Sequence, residues 1–168
     1  MEDGEIVRGE TNIPKTNKKI DRVFLEPGDV EPMGEAVEAL EHADLIVLGP
    51  GSLYTSVISN LCVKGVSEAL LRSKAPKLYV SNVMTQPGET DNYDVKEHID
   101  AICQQVGEDF IDFVICSNEN YSKDVLRRYE EKNSKPVEVH KEELKNKGIR
   151  VLTCLLYTSD AADDSLRV

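Results

Sequence analysis

Two loops hold most of the residues whose types and spacing suit binding chemistry. The first is Gly49-Pro-Gly-Ser-Leu-Tyr-Thr-Ser56, which follows a continuous apolar run and leads into a helical stretch. A glycine-rich turn between a buried strand and a helix lets backbone N–H groups approach a phosphate. Gly49 and Gly51 would permit that approach, and Ser52, Thr55 and Ser56 add hydroxyl donors without adding charge. The pattern is neither G-x-G-x-x-G nor the Walker loop, whose Lys-Ser/Thr ending is missing. It equally suits a tight turn whose serine caps the helix. The second loop is Asn82-Val-Met-Thr-Gln-Pro-Gly-Glu-Thr-Asp91. Around its Pro87-Gly88 turn, Asn82, Thr85, Gln86, Glu89, Thr90 and Asp91 gather amide, hydroxyl and carboxylate groups. Glu89 and Asp91 have the chemistry of an acid, a base or a metal ligand, but no spacing rule selects either, so no catalytic residue and no metal ligand is assigned. The plain alternative is a solvated loop in which Thr90 or Asp91 caps the following helix.

Little else along the chain competes. Cys62, Cys103, Cys116 and Cys154 form no C-x-x-C pair and have no histidine at zinc-ligand spacing, which fits reduced structural thiols. His42, His98 and His140 lack an evident Cys or Asp partner. The formal net charge of -11 argues against nucleic acid as a partner, because neutralising phosphates takes Lys and Arg. It does not exclude an anion held by backbone N–H groups. No run approaches the ~18 apolar residues of a membrane span, and the acidic start Met-Glu-Asp-Gly-Glu is not a secretory signal. A cytoplasmic protein with no membrane partner is expected.

The elements that must position the two loops read as alternating strands and helices. Asp3-Gly4 with Glu5–Arg8 resembles half of a β-hairpin, which makes Met1 an internal methionine of a longer protein. Thr11–Lys19 is a polar connector, and Ile20–Leu25 a short strand by its β-branched and aromatic content. Met33–His42 has helical spacing, and Asp44–Leu48 reads as a strand buried on both faces. Helical stretches at Val57–Leu61 and Val66–Arg72, interrupted at Gly65, precede a strand at Lys77–Ser81. Beyond the Asn82–Asn92 loop come a helix at Asp94–Val106, a buried strand at Phe110–Cys116 and a charged helix at Tyr121–Lys132. Short strands at Val137–Val139 and Ile149–Leu152, with a helical turn between them, complete the pattern. The fold class is therefore α/β, with a mostly parallel, Rossmann-like sheet and helices on both faces. Strands Asp44–Leu48 and Lys77–Ser81 should run parallel, with both loops at one sheet edge, where α/β proteins bind ligands.

The last stretch departs from the pattern. Cys154–Asp163 is also the translation of DNA resembling a transposon-end adapter used in sequencing libraries. Residues 154–168 are accordingly read as a non-native tail, leaving 1–153 as one domain truncated at both ends.

The two loops carry a resemblance. Ala43–Ile58 and Asn82–Asp91, with Glu2–Glu10 and Arg22–Leu25, resemble the gluconeogenesis-factor (YvcK-like) branch of the CofD-like superfamily, from Met1 to about Leu152. The resemblance implies the C-terminal part of a bacterial cytoplasmic protein that binds UDP-sugars and links central carbon metabolism to cell shape and wall synthesis. Its transferase relatives join a phospholactyl group to a deazaflavin, using a nucleotide-activated donor and a divalent metal. That leaves two readings: a nucleotide-sugar-binding regulator, or a 2-phospho-L-lactate transferase-like enzyme, with magnesium entering only in the full-length protein. A homo-oligomer of the full-length protein stays open. The family's Gly-Gly-Gly-Thr-Gly and Asp-Asp-Gly-Gly segments are absent here, so the chain is expected to hold half a site at most. Ser59 and Lys64 stand where Pro is common, and Asn92 where Gly is usual; Asn can adopt the left-handed conformation that Gly would.

Overall fold

The computed structural model describes residues 1–16 and 18–156. Its frame is a four-stranded parallel sheet in the order β1-β2-β3-β4, with β1 at Ile46–Leu48, β2 at Lys77–Val80, β3 at Phe113–Ser117 and β4 at Arg150–Cys154. Helix α1 (Gly34–Glu41) precedes β1. A π-helical turn at Leu53–Ile58 runs straight into α2 (Ser59–Leu61), and α3 (Lys64–Arg72) completes the first crossover. Helix α4 (Val95–Val106) joins β2 to β3, and α5 (Lys123–Glu130) and α6 (Lys141–Asn146) join β3 to β4.

Because each strand lies beside its predecessor, right-handed crossovers place all their helices on one face. Burial agrees with that. Ile46, Leu48, Tyr79, Val114 and Cys116 point into the core on the helical face. On the opposite face Val47 is 50% and Leu152 48% exposed, with Leu78, Val80, Phe113 and Ile115 half-buried between them. The expected α/β fold with a parallel sheet and flanking helices is present, and among the described residues β1 is an edge strand rather than one buried on both sides.

Helix α4 anchors the core. Val95, Ile99, Ile102 and Cys103 recur at helical spacing and are buried. Asp94 accepts from the Glu97 backbone N–H at 2.8 Å while Glu97 accepts from the Asp94 N–H at 2.9 Å, a capping box worth about 1 kcal/mol. The cap is Asp94, not Thr90 or Asp91. Gly107 ends the helix at φ 92. His98 is buried on the same helix, with Nδ1 2.7 Å from the Asp94 carbonyl oxygen; burial lowers its pKa and keeps it neutral.

Several expected elements shift. Glu5–Arg8 and Ile20–Leu25 are irregular, because among the described residues neither finds a ladder partner, and β propensity needs one. Pro14 sits inside a 3₁₀ helix at Glu10–Thr16 where a connector was expected. The break between helices falls at Cys62–Val63, and Gly65 lies inside α3. Val137–Val139 forms no strand; the nearby pairing is a single antiparallel bridge, Met84 to Pro136. Asn92 does take the left-handed conformation, at φ 63. Cys154 pairs with Ser117 as the last residue of β4, one residue into the stretch read as a tail. The rest of that reading, from 157 onward, lies outside the described residues.

Candidate functional site

The parallel register Ile46–Lys77, Val47–Leu78, Leu48–Tyr79 brings the carboxyl ends of β1 and β2 to one edge of the sheet. The Gly49 and Asn82 loops start there, side by side. Gly49 has φ 84, and a Cβ on it would meet the Val80 carbonyl oxygen at 3.0 Å. A Cβ on Gly51 would come 3.1 Å from that of Ser56. Both glycines are thus favoured by close packing and, at Gly49, by backbone sign. Ser52 enters the π-helical turn through its carbonyl, which accepts from the Ser56 and Val57 N–H groups, each at 3.0 Å. Its hydroxyl makes no capping bond, so it remains available. Ser56 is exposed on the same turn. Gly49, Gly51, Ser52 and Ser56 thereby form one accessible rim.

The second loop behaves differently, because most of its polar groups are spent on one another. Thr85 is buried; its hydroxyl accepts from the Lys135 N–H at 3.0 Å, and its own N–H donates to the Lys135 carbonyl at 2.7 Å. The Gln86 N–H donates to the buried Thr90 hydroxyl at 2.8 Å, and the Gly88 N–H to Asp91 Oδ2 at 2.7 Å. Gly88 has φ 79 and lies under the 3₁₀ helix, where an added Cβ would fall 2.1 Å from the Pro14 carbonyl oxygen. The loop is a knot that fastens residues 10–16 to the sheet edge.

Glu89 joins the two loops. Only 4% exposed, its Oε1 accepts from the Thr55 hydroxyl and from Gln86 Nε2, both at 3.2 Å. Burial raises its pKa; the Thr55 hydroxyl and the Tyr54 and Thr55 N–H groups oppose that rise, and Glu10 adds to it. The chain's own carboxylate therefore faces the first N–H groups of the π-helical turn. The part of the first loop that this carboxylate leaves open is Gly49–Ser52. The Thr55 hydroxyl proton is committed to Glu89. Among the described residues no three acidic, His or Cys groups gather as a metal site, and Glu89 and Asp91 are both engaged within the chain.

Two features at this edge escaped sequence reading. Asn82 Oδ1 is buried at the end of β2 without a partner among the described residues, and the buried Tyr79 hydroxyl lies against the Asn82 backbone. Beside them a cavity of about 330 Å³ is lined by Asn82, Ser117, Glu119 and Asn120. The signal was present, since Ser117–Asn120 is a polar run directly after a buried strand. The other is a cavity of about 400 Å³ beside Tyr54 and Thr55, walled by the irregular segments near Ile6 and Val23, for which no motif gave warning.

Residues 1–156 match the family model described as 2-phospho-L-lactate transferase CofD. The chain belongs to the CofD family. Within it, the chain is 43% identical over 152 residues to the gluconeogenesis factor of Bacillus subtilis (strain 168), covering 90% of this chain and 48% of that protein. It is 47% identical over 153 residues to the gluconeogenesis factor of Halalkalibacterium halodurans, covering 91% and 48%. The crystal structure of a UPF0052-family protein from Bacillus halodurans superposes with a TM-score of 0.91 at 45% identity, over 95% of this chain and 51% of that one. The chain thus spans about half the length of these CofD-family relatives. No helix among the described residues is long and apolar enough to cross a membrane.

Proposed function

We propose that this CofD-family chain carries part of the nucleotide-sugar site of a cytoplasmic, UDP-sugar-binding regulator that ties central carbon metabolism to cell shape and wall synthesis. The observation that carries the reading is the rim at the end of edge strand β1. Two glycines there leave little room for a side chain, and the free Ser52 hydroxyl and exposed Ser56 stand beside them, a set suited to phosphate and to no acid–base chemistry. The names of the relatives support the gluconeogenesis-factor branch. Asn82, with its unpartnered Oδ1, would meet a sugar or ribose hydroxyl. Thr85, Gln86, Gly88, Thr90 and Asp91 would act indirectly, by holding the loop's shape.

A second reading is an enzyme of the phospholactate-transferase type, favoured by the description of the matching family. In it the rim would hold the donor's phosphate. Calorimetry of a full-length relative and of this chain with UDP-N-acetylglucosamine and with GDP separates the two. Heat from the UDP-sugar without turnover supports the regulator. Release of GMP in the presence of a deazaflavin acceptor and magnesium supports the enzyme and overturns the regulator.

A further inference from the structure

Glu89 lies between the two loops with its oxygens unevenly served. Oε1 accepts from the Thr55 hydroxyl and from Gln86 Nε2, both at 3.2 Å. Oε2 is buried and closes no hydrogen bond among the described residues, although the Tyr54 and Thr55 N–H groups face the carboxyl. An ionised carboxylate spreads its charge over both oxygens and calls for donors on each. A carboxylic acid calls for them on one, its carbonyl oxygen. The arrangement here is that of the acid, with Oε1 as the carbonyl and Oε2 as the hydroxyl. The surroundings favour the same form. From the 3₁₀ helix Glu10 acts on the group as a like charge, and from the π-helical turn the Tyr54 phenol, held neutral by its burial, brings no positive charge. Within its own loop the contact is the neutral Gln86 amide. A negative charge at this depth is costly without a cation beside it, so the folded chain holds the proton.

We infer that Glu89 is a proton-operated switch behind the Gly49–Ser52 rim: neutral, it ties the π-helical turn to the second loop and leaves the rim open to an anion; ionised, it sets a buried negative charge behind the same turn and weakens anion binding there. The coupling runs through one short segment, since Thr55, which donates to Glu89, lies in the turn that Ser52 opens. A buried charge is screened by salt far less than an exposed one, so its field reaches the rim. Acting across roughly 10 Å at an effective dielectric of about 20, one charge changes the affinity for an anion on the order of tenfold. With a single proton linked, the change cannot exceed about tenfold per pH unit. Affinity is full below the raised value of the Glu89 carboxyl and falls as pH rises through it. That the anion is the phosphate of a nucleotide-sugar rests on the reading above; the switch applies to any anion on the rim.

Two probes keep a constant charge around neutral pH: UDP-N-acetylglucosamine, whose diphosphate is esterified at both ends, and sulfate. The first is followed by calorimetry and the second by the amide chemical shifts of Gly49, Gly51 and Ser52, from mildly acid to mildly alkaline pH. Both affinities are expected to fall on the order of tenfold as pH rises. At the alkaline end binding should take up a proton, seen as heat that varies with the ionisation enthalpy of the buffer. Glu89→Gln keeps an acceptor for Thr55 and Gln86 and cannot ionise. It should bind with the parent's acid-limit affinity at every pH and take up no proton, and its unfolding midpoint shows whether the fold is kept. Proton uptake by the unsubstituted chain tests the switch without the variant. A flat affinity profile in the parent, or a pH dependence that survives in a folded Glu89→Gln, overturns the switch. If the UDP-sugar binds with a flat profile, the nucleotide reading survives and the switch falls. If sulfate binds with the expected profile while the UDP-sugar gives no heat with this chain or a full-length relative, the switch survives and the nucleotide reading falls. If neither anion binds at any pH, both fall.

Discussion

Gly88→Ala tests whether the second loop is the clamp described above. Two separate penalties act at this position. Placing an alanine at φ 79 carries about 1–2 kcal/mol of left-handed strain. The new methyl would also lie 2.1 Å from the Pro14 carbonyl oxygen and 2.6 Å from its Cα, both backbone atoms, so the Glu10–Thr16 helix must move off the loop. Overpacking of that kind costs about 1–3 kcal/mol. Together they give roughly 2–5 kcal/mol, which for a chain of this size lowers the melting temperature by roughly 4–20 °C. Gly107→Ala isolates the first term: its φ is 92, and nothing lies within 4 Å of an added Cβ. Its loss should be only about 1–2 kcal/mol, or roughly 2–8 °C. Thermal unfolding followed by far-UV circular dichroism measures both variants. Should Gly88→Ala melt no lower than Gly107→Ala, the contact with Pro14 carries no stability and the clamp is wrong.

Other outcomes follow from the same geometry. Burial raises the Glu89 pKa, so the folded chain holds that proton more tightly than the unfolded one; the associated stability is present in full below the ordinary carboxylate range and is lost as pH rises through the raised value. Glu89→Gln should therefore melt at or above the parent at pH 7, by roughly 2–4 °C per kcal/mol recovered, and flatten the pH dependence of melting between acid and neutral. A lower midpoint at pH 7 would count against it. Asp94→Ala removes the acceptor of the capping box and should lose about 1 kcal/mol in urea unfolding, with an unchanged m-value. Gly51→Ala brings a methyl to 3.1 Å from Ser56 Cβ and narrows the rim, so it should weaken UDP-sugar binding in calorimetry; affinity equal to the parent's would count against the rim.

The loops and the parallel sheet were legible because Gly, Pro and continuous apolar runs are local signals. Gly49-Pro50-Gly51 marks its own turn, and Asp44–Leu48 needs no partner to read as a strand. What those signals lack is knowledge of neighbours. Ile20–Leu25 has the residues of a strand, yet among the described residues no segment pairs with it to complete a ladder. Glu89 reads as a surface carboxylate in a polar loop. Its burial depends on Thr55, Gln86 and the 3₁₀ helix converging from separate parts of the chain. Val47 fails for the opposite reason. An apolar run predicts cover on both faces, but the order of the strands leaves one face bare, and only topology reveals that. Thr90 and Asp91 were read as caps for the next helix; the side-chain chemistry was right in kind, since both do hold backbone N–H groups, but within their own loop.

The bare sheet face also governs how the chain behaves as a material. A parallel sheet normally hides both of its surfaces, whereas here Leu45, Val47 and Leu152 stand open beside half-buried Leu78 and Ile115. Such a patch invites self-association, and the short β1 edge offers free ladder groups to any neighbour. What keeps copies apart is the formal charge of -11. That repulsion is screened within about 10 Å at 0.1 M salt, while the attraction between apolar faces is not. Colloidal stability of the isolated chain is thus a contest between a long-range force that salt removes and a short-range one that salt strengthens, and dilute, low-salt solution is the condition that keeps it dispersed.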